Sequence, residues 1–316
     1  MVCQSCDRKC RRHGKNRNGT QRFRCPVCKV TCSEERESLF AGMRVPEDKA
    51  FIALHMLCEG SSVRAVARVT GLHKNTVLKL LVTAGEACER FMAERIVGVE
   101  VADVELDEVW SFIQAKERTK VEQGDDDPQR GDAYCFIGLE SNSKLVLAWH
   151  LGRRTAPHTD AFVEKLSHAT GGRFQITSDG FQAYPDAIGY HLGHRTDYAT
   201  LIKQFGSSPD GERRYSPAKL TGTDRARVHG DPKPGRVCTS YVERFNLSLR
   251  TSMRRWTRLT IAFSKCWRNH KAAVALFIAF YNFCTIHSSI RMTPAMSADL
   301  TRRPWSLRDL LTAAAV

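Results

Sequence analysis

Apolar residues change their period along this chain, and each change marks a new part. From Glu47 to Gly60, "EDKAFIALHMLCEG" repeats at helical spacing. In "SSVRAVARVTGLHKNTVLKLL", Val63, Val66 and Ala67 share one face, Gly71 breaks the pattern, and Leu72, Val77, Leu80 and Leu81 share the next. Ser61 or Ser62 is placed to cap the first of these helices, since a serine oxygen accepts an amide proton that the helix start leaves unpaired. Two short helices about a glycine have the grammar of a helix-turn-helix, and they also suit a plain helical bundle.

From Val97 the period falls to two, and "GVEVADVELDEVWSFIQA", "DAYCFIGLES" and "KLVLAWHLG" are expected as strands. Between the first two, Glu122 to Asp132 reads as a solvated acidic turn. A helix follows near His158 with Ala161, Phe162 and Leu166 inward, closed by Gly171-Gly172. Next comes an apolar strand (Phe174, Ile176) running into Asp179-Gly180. Residues Thr239 to Trp256, "TSYVERFNLSLRTSMRRW", predict one helix whose apolar stripe is Val242, Phe245, Leu249, Met253 and Trp256. Trp256 on that stripe is core rather than a base-stacking residue. "AAVALFIAFYNFCTIH" is a core helix whose His287 either caps its end or meets DNA.

The first strand is unusual in what it alternates. Asp103, Glu105 and Asp107 fall on one face, with Val104, Leu106 and Glu108 on the other. Repeated acids on an inner face pack badly, so either this is an edge strand in water or one acid, Asp107 near its centre, binds a hard cation. A second carboxylate, Asp179, ends a later strand. The order strand with Asp, two strands, helix, strand with Asp, helix with Glu is what an RNase H-like core requires. There, three carboxylates converge on two divalent ions that activate the attacking oxygen and stabilise the leaving one.

Charge adds a partner. The chain of 316 residues carries a formal charge of +14, which favours a polyanion and, among polyanions, nucleic acid. No apolar run approaches the roughly 20 residues of a membrane span, and the start lacks a signal peptide, so a cytoplasmic protein without membrane contact is expected.

Of 12 cysteines, six lie within the first 32 residues. "CQSC" and "CPVC" set Cys3 and Cys6 against Cys25 and Cys28, two knuckles whose spacer is long enough for a hairpin. This is the spacing of a structural zinc site with four cysteine ligands, which so small and polar a segment needs as a staple. Cys10 and Cys32 are substitutes for a ligand or spare thiols. The hairpin carries Arg8, Lys9, Arg11, Arg12, Lys15, Arg17, Arg22 and Arg24 against one acid, Asp7, which points it at DNA. His73, Lys74 and Asn75 open the second helix of the helix-turn-helix, where that motif meets bases and phosphates.

Between Pro232 and Ala298 stand 11 Lys or Arg and one acid, Glu243. A salt bridge from Glu243 to Arg250 or Arg254 is the ordinary account, yet it leaves the lack of other acids unexplained. A surface facing DNA excludes carboxylates and tolerates one where a metal neutralises it, so Glu243 is expected as a third ligand. Arg250, Arg254, Arg255, Arg258 and Lys265 are expected on phosphates. The polar stretch 204–235 suits either a basic insertion that orders on DNA or a flexible linker.

"TSYVERFNLSLRTSMRRWTRLTIAFSK" and "AVALFIAFYNFCTIHSSIRMTPAMSA" resemble the C-terminal half of DDE transposases of the insertion-sequence-one group. "ELDEVWSFI" and "TSDGFQAY" are similar to the first two acidic motifs of those enzymes, and "CQSC…GTQRFRCPVC" to their zinc-ribbon head. The resemblance implies a DNA transposase that cleaves element ends and joins the 3′-OH to a target, using Mg²⁺ or Mn²⁺ with Asp107, Asp179 and Glu243 as the triad. The reaction class implies a homo-oligomer on DNA, in a bacterial cytoplasm and on the nucleoid when bound. The expected layout is multidomain: a zinc ribbon over 1–40, an all-α helix-turn-helix over 41–96, an α/β RNase H-like catalytic domain with a mixed central sheet over 97–290, and a tail over 291–316. The same carboxylates suit a structure-specific nuclease, and a chain with a dead site would be a DNA-binding regulator.

Overall fold

The computed structural model describes residues 1–34, 38–41, 43–206, 220–257 and 260–315. It opens with three short antiparallel strands, β1 (Arg11–Lys15), β2 (Gln21–Arg24) and β3 (Thr31–Ser33), in that order. Their interior is Cys3, Cys10 and Cys25 with Cys6, Phe23 and Cys32 against them. Thiols are thus almost all the core this unit has.

Three helices follow, α1 (Glu47–Cys58), α2 (Val63–Thr70) and α3 (Lys74–Arg95). Ser62 Oγ accepts the Ala65 amide at 3.1 Å to start α2, and Gly71 ends it with φ 68°, a left-handed turn that glycine adopts without strain. His73 caps α3 through its own side chain, accepting from Asn75 N–H at 3.3 Å. At 22 residues α3 runs far past the turn motif. Its buried stripe of Leu81, Ala84, Gly85 and Cys88 lies against a later helix, Trp267–Phe283.

The central sheet has six strands in the order β11-β10-β9-β5-β6-β7. Before it, the two-residue strand β4 (Val99–Glu100) pairs in parallel with β8 (Thr170–Gly171). β5 (Asp103–Ile113) leads through α4 (Glu117–Glu122) to β6 (Gly131–Glu140) and β7 (Val146–Gly152), an antiparallel meander. α5 (Ala156–Ala169) crosses to β9 (Phe174–Ser178), which lies parallel to β5. α6 (Tyr184–His191) then leads to β10 (Thr196–Phe205), parallel to β9. This mixed α/β sheet is compatible with an RNase H-like domain. Of the stretch 204–235, residues 207–219 lie outside the described residues, and β11 (Leu220–His229) pairs antiparallel to β10.

Helices cover both faces of the sheet. On one, Leu106 and Gly138 meet Phe162 and Leu166 of α5. On the other lies α7 (Ser240–Ser252), followed by α8 (Trp267–Phe283), whose residues 272–279 are all buried. The helix expected over 239–256 ends early, because Met253 leaves helical geometry at φ −133°, ψ 104°. Met253 and Trp256 are still buried, carried inward by a short turn that stacks Trp256 on His270. The residues after 290 also pack: α9 (Pro294–Ser297) lies against α8, and α10 (Leu307–Ala313) against α3 and α8. Trp305 packs on both Phe91 and Phe283, and Arg308 pairs with Glu47 and Asp48 of α1.

Candidate active site

Side chains alternate along β5, so its acids divide between the two faces, and the structure gives each a different partner. Asp103 is paired with Arg236, ahead of α7. Glu105, only 2% exposed, accepts the amides of Tyr241 at 2.8 Å and Val242 at 2.9 Å through one oxygen. A carboxylate from the sheet therefore supplies what the first turn of α7 lacks: an acceptor for unpaired amides at the positive end of the helix dipole. Burial raises the Glu105 pKa, against the pull of those two amides. Asp107 accepts from Asn246 Nδ2 of α7 at 2.7 Å.

Asp179 follows the last residue of β9, beside β5, where the registered pairing of these strands has ended. Oxygens of Asp107, Glu108 and Asp179 lie within 4.8 Å of one another, near enough to share one cation. All three donors are hard carboxylate oxygens, the set that suits Mg²⁺ or Mn²⁺. Burial first, then the charges of Asp179 and Glu243, pushes the Asp107 pKa up to about 6. Burial and Asp179 push Glu108 up to about 7. A divalent ion would relieve this crowding of like charges, so the residues present fit one.

Glu243 stands apart from that group. Its carboxylate takes Lys203 of β10 as an ion pair and the Thr239 hydroxyl at 2.8 Å, with the side chain 45% exposed. It neighbours Asp107 closely enough to raise that group's pKa. The structure thus brings Asp107 and Asp179 together and holds Glu243 beside them on α7.

Cys3, Cys6, Cys25 and Cys28 form a second cluster. Sulphur–sulphur distances are 3.4 Å for Cys3–Cys28, 3.4 Å for Cys6–Cys25 and 3.7 Å for Cys6–Cys28. A tetrahedron with zinc–sulphur bonds of about 2.3 Å has edges of about 3.8 Å, so the four thiols match a zinc site. The Cys28 amide, then that of Val27, helps hold the Cys25 thiol down to about 6. A thiol so lowered favours the thiolate a metal needs. Cys10 and Cys32 lie outside the four-sulphur group.

The expected DNA contacts divide by exposure. Arg11 and Arg24 are exposed and directly opposed across β1 and β2, a like-charge pair that costs stability unless an anion faces it. Arg12 is exposed and Arg22 half-buried; His73, Lys74 and Asn75 are exposed at the start of α3. On and after α7, Arg254 and Lys265 are exposed and Arg250 is half-buried. Arg255 departs from the expected set: it turns inward, donating to Ser264 Oγ at 3.2 Å and to the Asn269 carbonyl at 3.1 Å. Arg258 lies outside the described residues.

Three site residues had no clear signal in the sequence. Lys203 looks like any lysine near a strand end. Asn246 is visible only as a neighbour of Glu243 on the helix. Arg154 reaches Glu108 Oε2 at 3.0 Å and Asp179 Oδ2 at 3.5 Å from the turn before α5, in a stretch without periodicity.

Fold and site together define a mixed α/β domain with a carboxylate cluster where two parallel strands part, joined to a tetracysteine head. No protein-family model and no curated protein matches the chain. Among solved structures it is similar to the piggyBac transposase in a synaptic complex with hairpin DNA. That likeness has 9% identity and a TM-score of 0.37, and it covers 85% of this chain and 70% of the other. Similarity this loose carries no argument about activity. No helix among the described residues is long and apolar enough to cross a membrane.

Proposed function

We propose that this chain is a DNA transposase of the insertion-sequence-one type, which cleaves element ends and joins them to a target by metal-dependent phosphoryl transfer. The observation that carries the reading is the meeting of Asp107 and Asp179 oxygens, within 4.8 Å with Glu108, on a sheet compatible with an RNase H-like domain. Mg²⁺ or Mn²⁺, when bound, supplies the Lewis acid that activates the attacking oxygen and stabilises the leaving one. The chain's own residues fix where that happens. Asp107 and Asp179 hold the cation, and Glu243 is the third acid of the triad. Asn246 orients Asp107, while Glu105 fixes the start of the helix that carries both Asn246 and Glu243.

DNA binding in this reading falls to the exposed bases of the zinc-stapled strands, to the start of α3, and to Arg254 and Lys265 after α7. Each of two element ends needs an active site, so a homo-oligomer forms on DNA. The test is cleavage and joining of the DNA flanking this gene, with Mg²⁺ or with EDTA, comparing wild type with Asp179→Asn and Glu243→Gln. Joined products that need Mg²⁺ and vanish in both variants are expected. Cut but unjoined products would indicate a nuclease, and binding without any cleavage a regulator.

A further inference from the structure

Glu108 and Arg154 are the two groups at the site to which the triad gives no task. The Glu108 side chain is 3% exposed and lies beside the buried Tyr184. Its near oxygen receives Arg154 Nε at 3.0 Å. The guanidinium lies over Phe181, its carbon 4.2 Å from the ring centroid. Arg154 remains 38% exposed, and it lines an open cavity with Asp179, Gly180, Phe181 and Gln182.

We infer that Arg154 is a catalytic residue that binds the phosphate being transferred, and that Glu108 is its anchor rather than a cation ligand. The inference rests on the transposase reading above. An arginine fork binds phosphate well when its plane is fixed beforehand, because little side-chain entropy remains to be lost. Here a buried carboxylate holds Nε and an aromatic ring lies against the guanidinium, and Arg154 and Asp179 line the same cavity. At 3.5 Å, Asp179 engages Nη2 only loosely. Once a cation shares the Asp179 charge, that nitrogen is available to a phosphate oxygen. Glu108 by contrast already holds Arg154 on one oxygen, and its side chain leaves β5 on the face opposite to Asp107.

Two measurements on the full chain test this: cleavage of the flanking-DNA duplex, and calorimetric titration with Mg²⁺ or Mn²⁺ alone. Arg154→Ala is expected to slow cleavage roughly 100-fold, as losing one preorganised donor does, with cation affinity not reduced. Arg154→Lys should restore only part of the rate, because an ammonium cannot supply the fork. Glu108→Gln should slow cleavage while costing cation affinity much less than Asp107→Asn does. A loss of cation affinity in Glu108→Gln as large as that in Asp107→Asn would make it a ligand and overturn the inference. Wild-type cleavage by Arg154→Ala would overturn it too, leaving the transposase reading intact. Should the wild-type chain cut nothing in Mg²⁺, both fall together.

Discussion

At Gly85 the backbone of α3 comes close to that of α8, and adding one methyl group there should disturb the packing of the two helices. A Cβ built on Gly85 would lie 2.2 Å from the Ala272 carbonyl oxygen and 2.5 Å from its Cα. Both obstacles are backbone, so no side chain can swing aside. Non-bonded heavy atoms settle near 3.5 Å, and the helices must part by roughly 1 Å, losing contacts along the seam. Overpacking of this kind costs about 1–3 kcal/mol. Against it stands the gain of replacing a mid-helix glycine with alanine, about 1 kcal/mol. Gly189, in α6, has nothing within 4 Å of its own virtual Cβ and isolates that gain. Gly189→Ala should therefore raise the melting midpoint slightly, while Gly85→Ala lowers it by several degrees and Gly85→Val by more. Thermal and urea unfolding of the three variants would decide it. A Gly85→Ala chain as stable as Gly189→Ala would show that the close approach does not exist.

Three other outcomes follow from the site. Cys25→Ser should abolish bound zinc by elemental analysis and weaken DNA binding, since one of four sulphurs is lost; unchanged zinc content would contradict the tetracysteine assignment. Glu105→Leu leaves two amides of α7 without an acceptor and should cost about 2–4 kcal/mol in urea unfolding, whereas Glu105→Gln keeps an acceptor and should cost less than half of that. Equal losses would mean that the amides find other partners. The Asp107 pKa, raised from 3.8 to about 6, sets a pH test in EDTA. Its stabilising contribution is fully present below its ordinary value and is lost as pH rises through about 6. Asp107→Asn should therefore stabilise the metal-free chain at pH 8, by at most about 3 kcal/mol, with the gain shrinking towards pH 4. A gain that does not change with pH would refute the buried-charge account.

How much of this could be read beforehand depended on whether the signal was local. The CxxC pairs announced their cluster because a knuckle is built from adjacent residues. Period-two alternation placed Asp103, Glu105 and Asp107 on one face, and it could not say what each would meet, since Arg236, the α7 amides and Asn246 lie more than 130 residues away. Apolar spacing predicted that Met253 and Trp256 face inward, and it overran the end of α7 because a short turn can bury the same positions. Gly85 reads as a weak point in a helix until Ala272 is beside it. Arg154 gave no warning, because a single cation before a helix start has many ordinary uses.

The partners of β5 also bear on why the segment from Pro232 to Ala298 carries one acid. That segment supplies Arg236, two amides and Asn246 to three carboxylates on a single strand face. Any further acid at these positions would meet a negative strand across a short gap, where the low dielectric makes like charges costly. Exclusion of acids at the positions that face β5 is therefore required by the chain's own packing. Glu243 survives because Lys203 approaches it from β10, outside the segment. Removing that lysine should leave the Glu243 charge beside Asp107 uncompensated, where a divalent cation becomes the main available offset. The solitary glutamate is thus held beside the acidic cluster by a cation that the sheet provides.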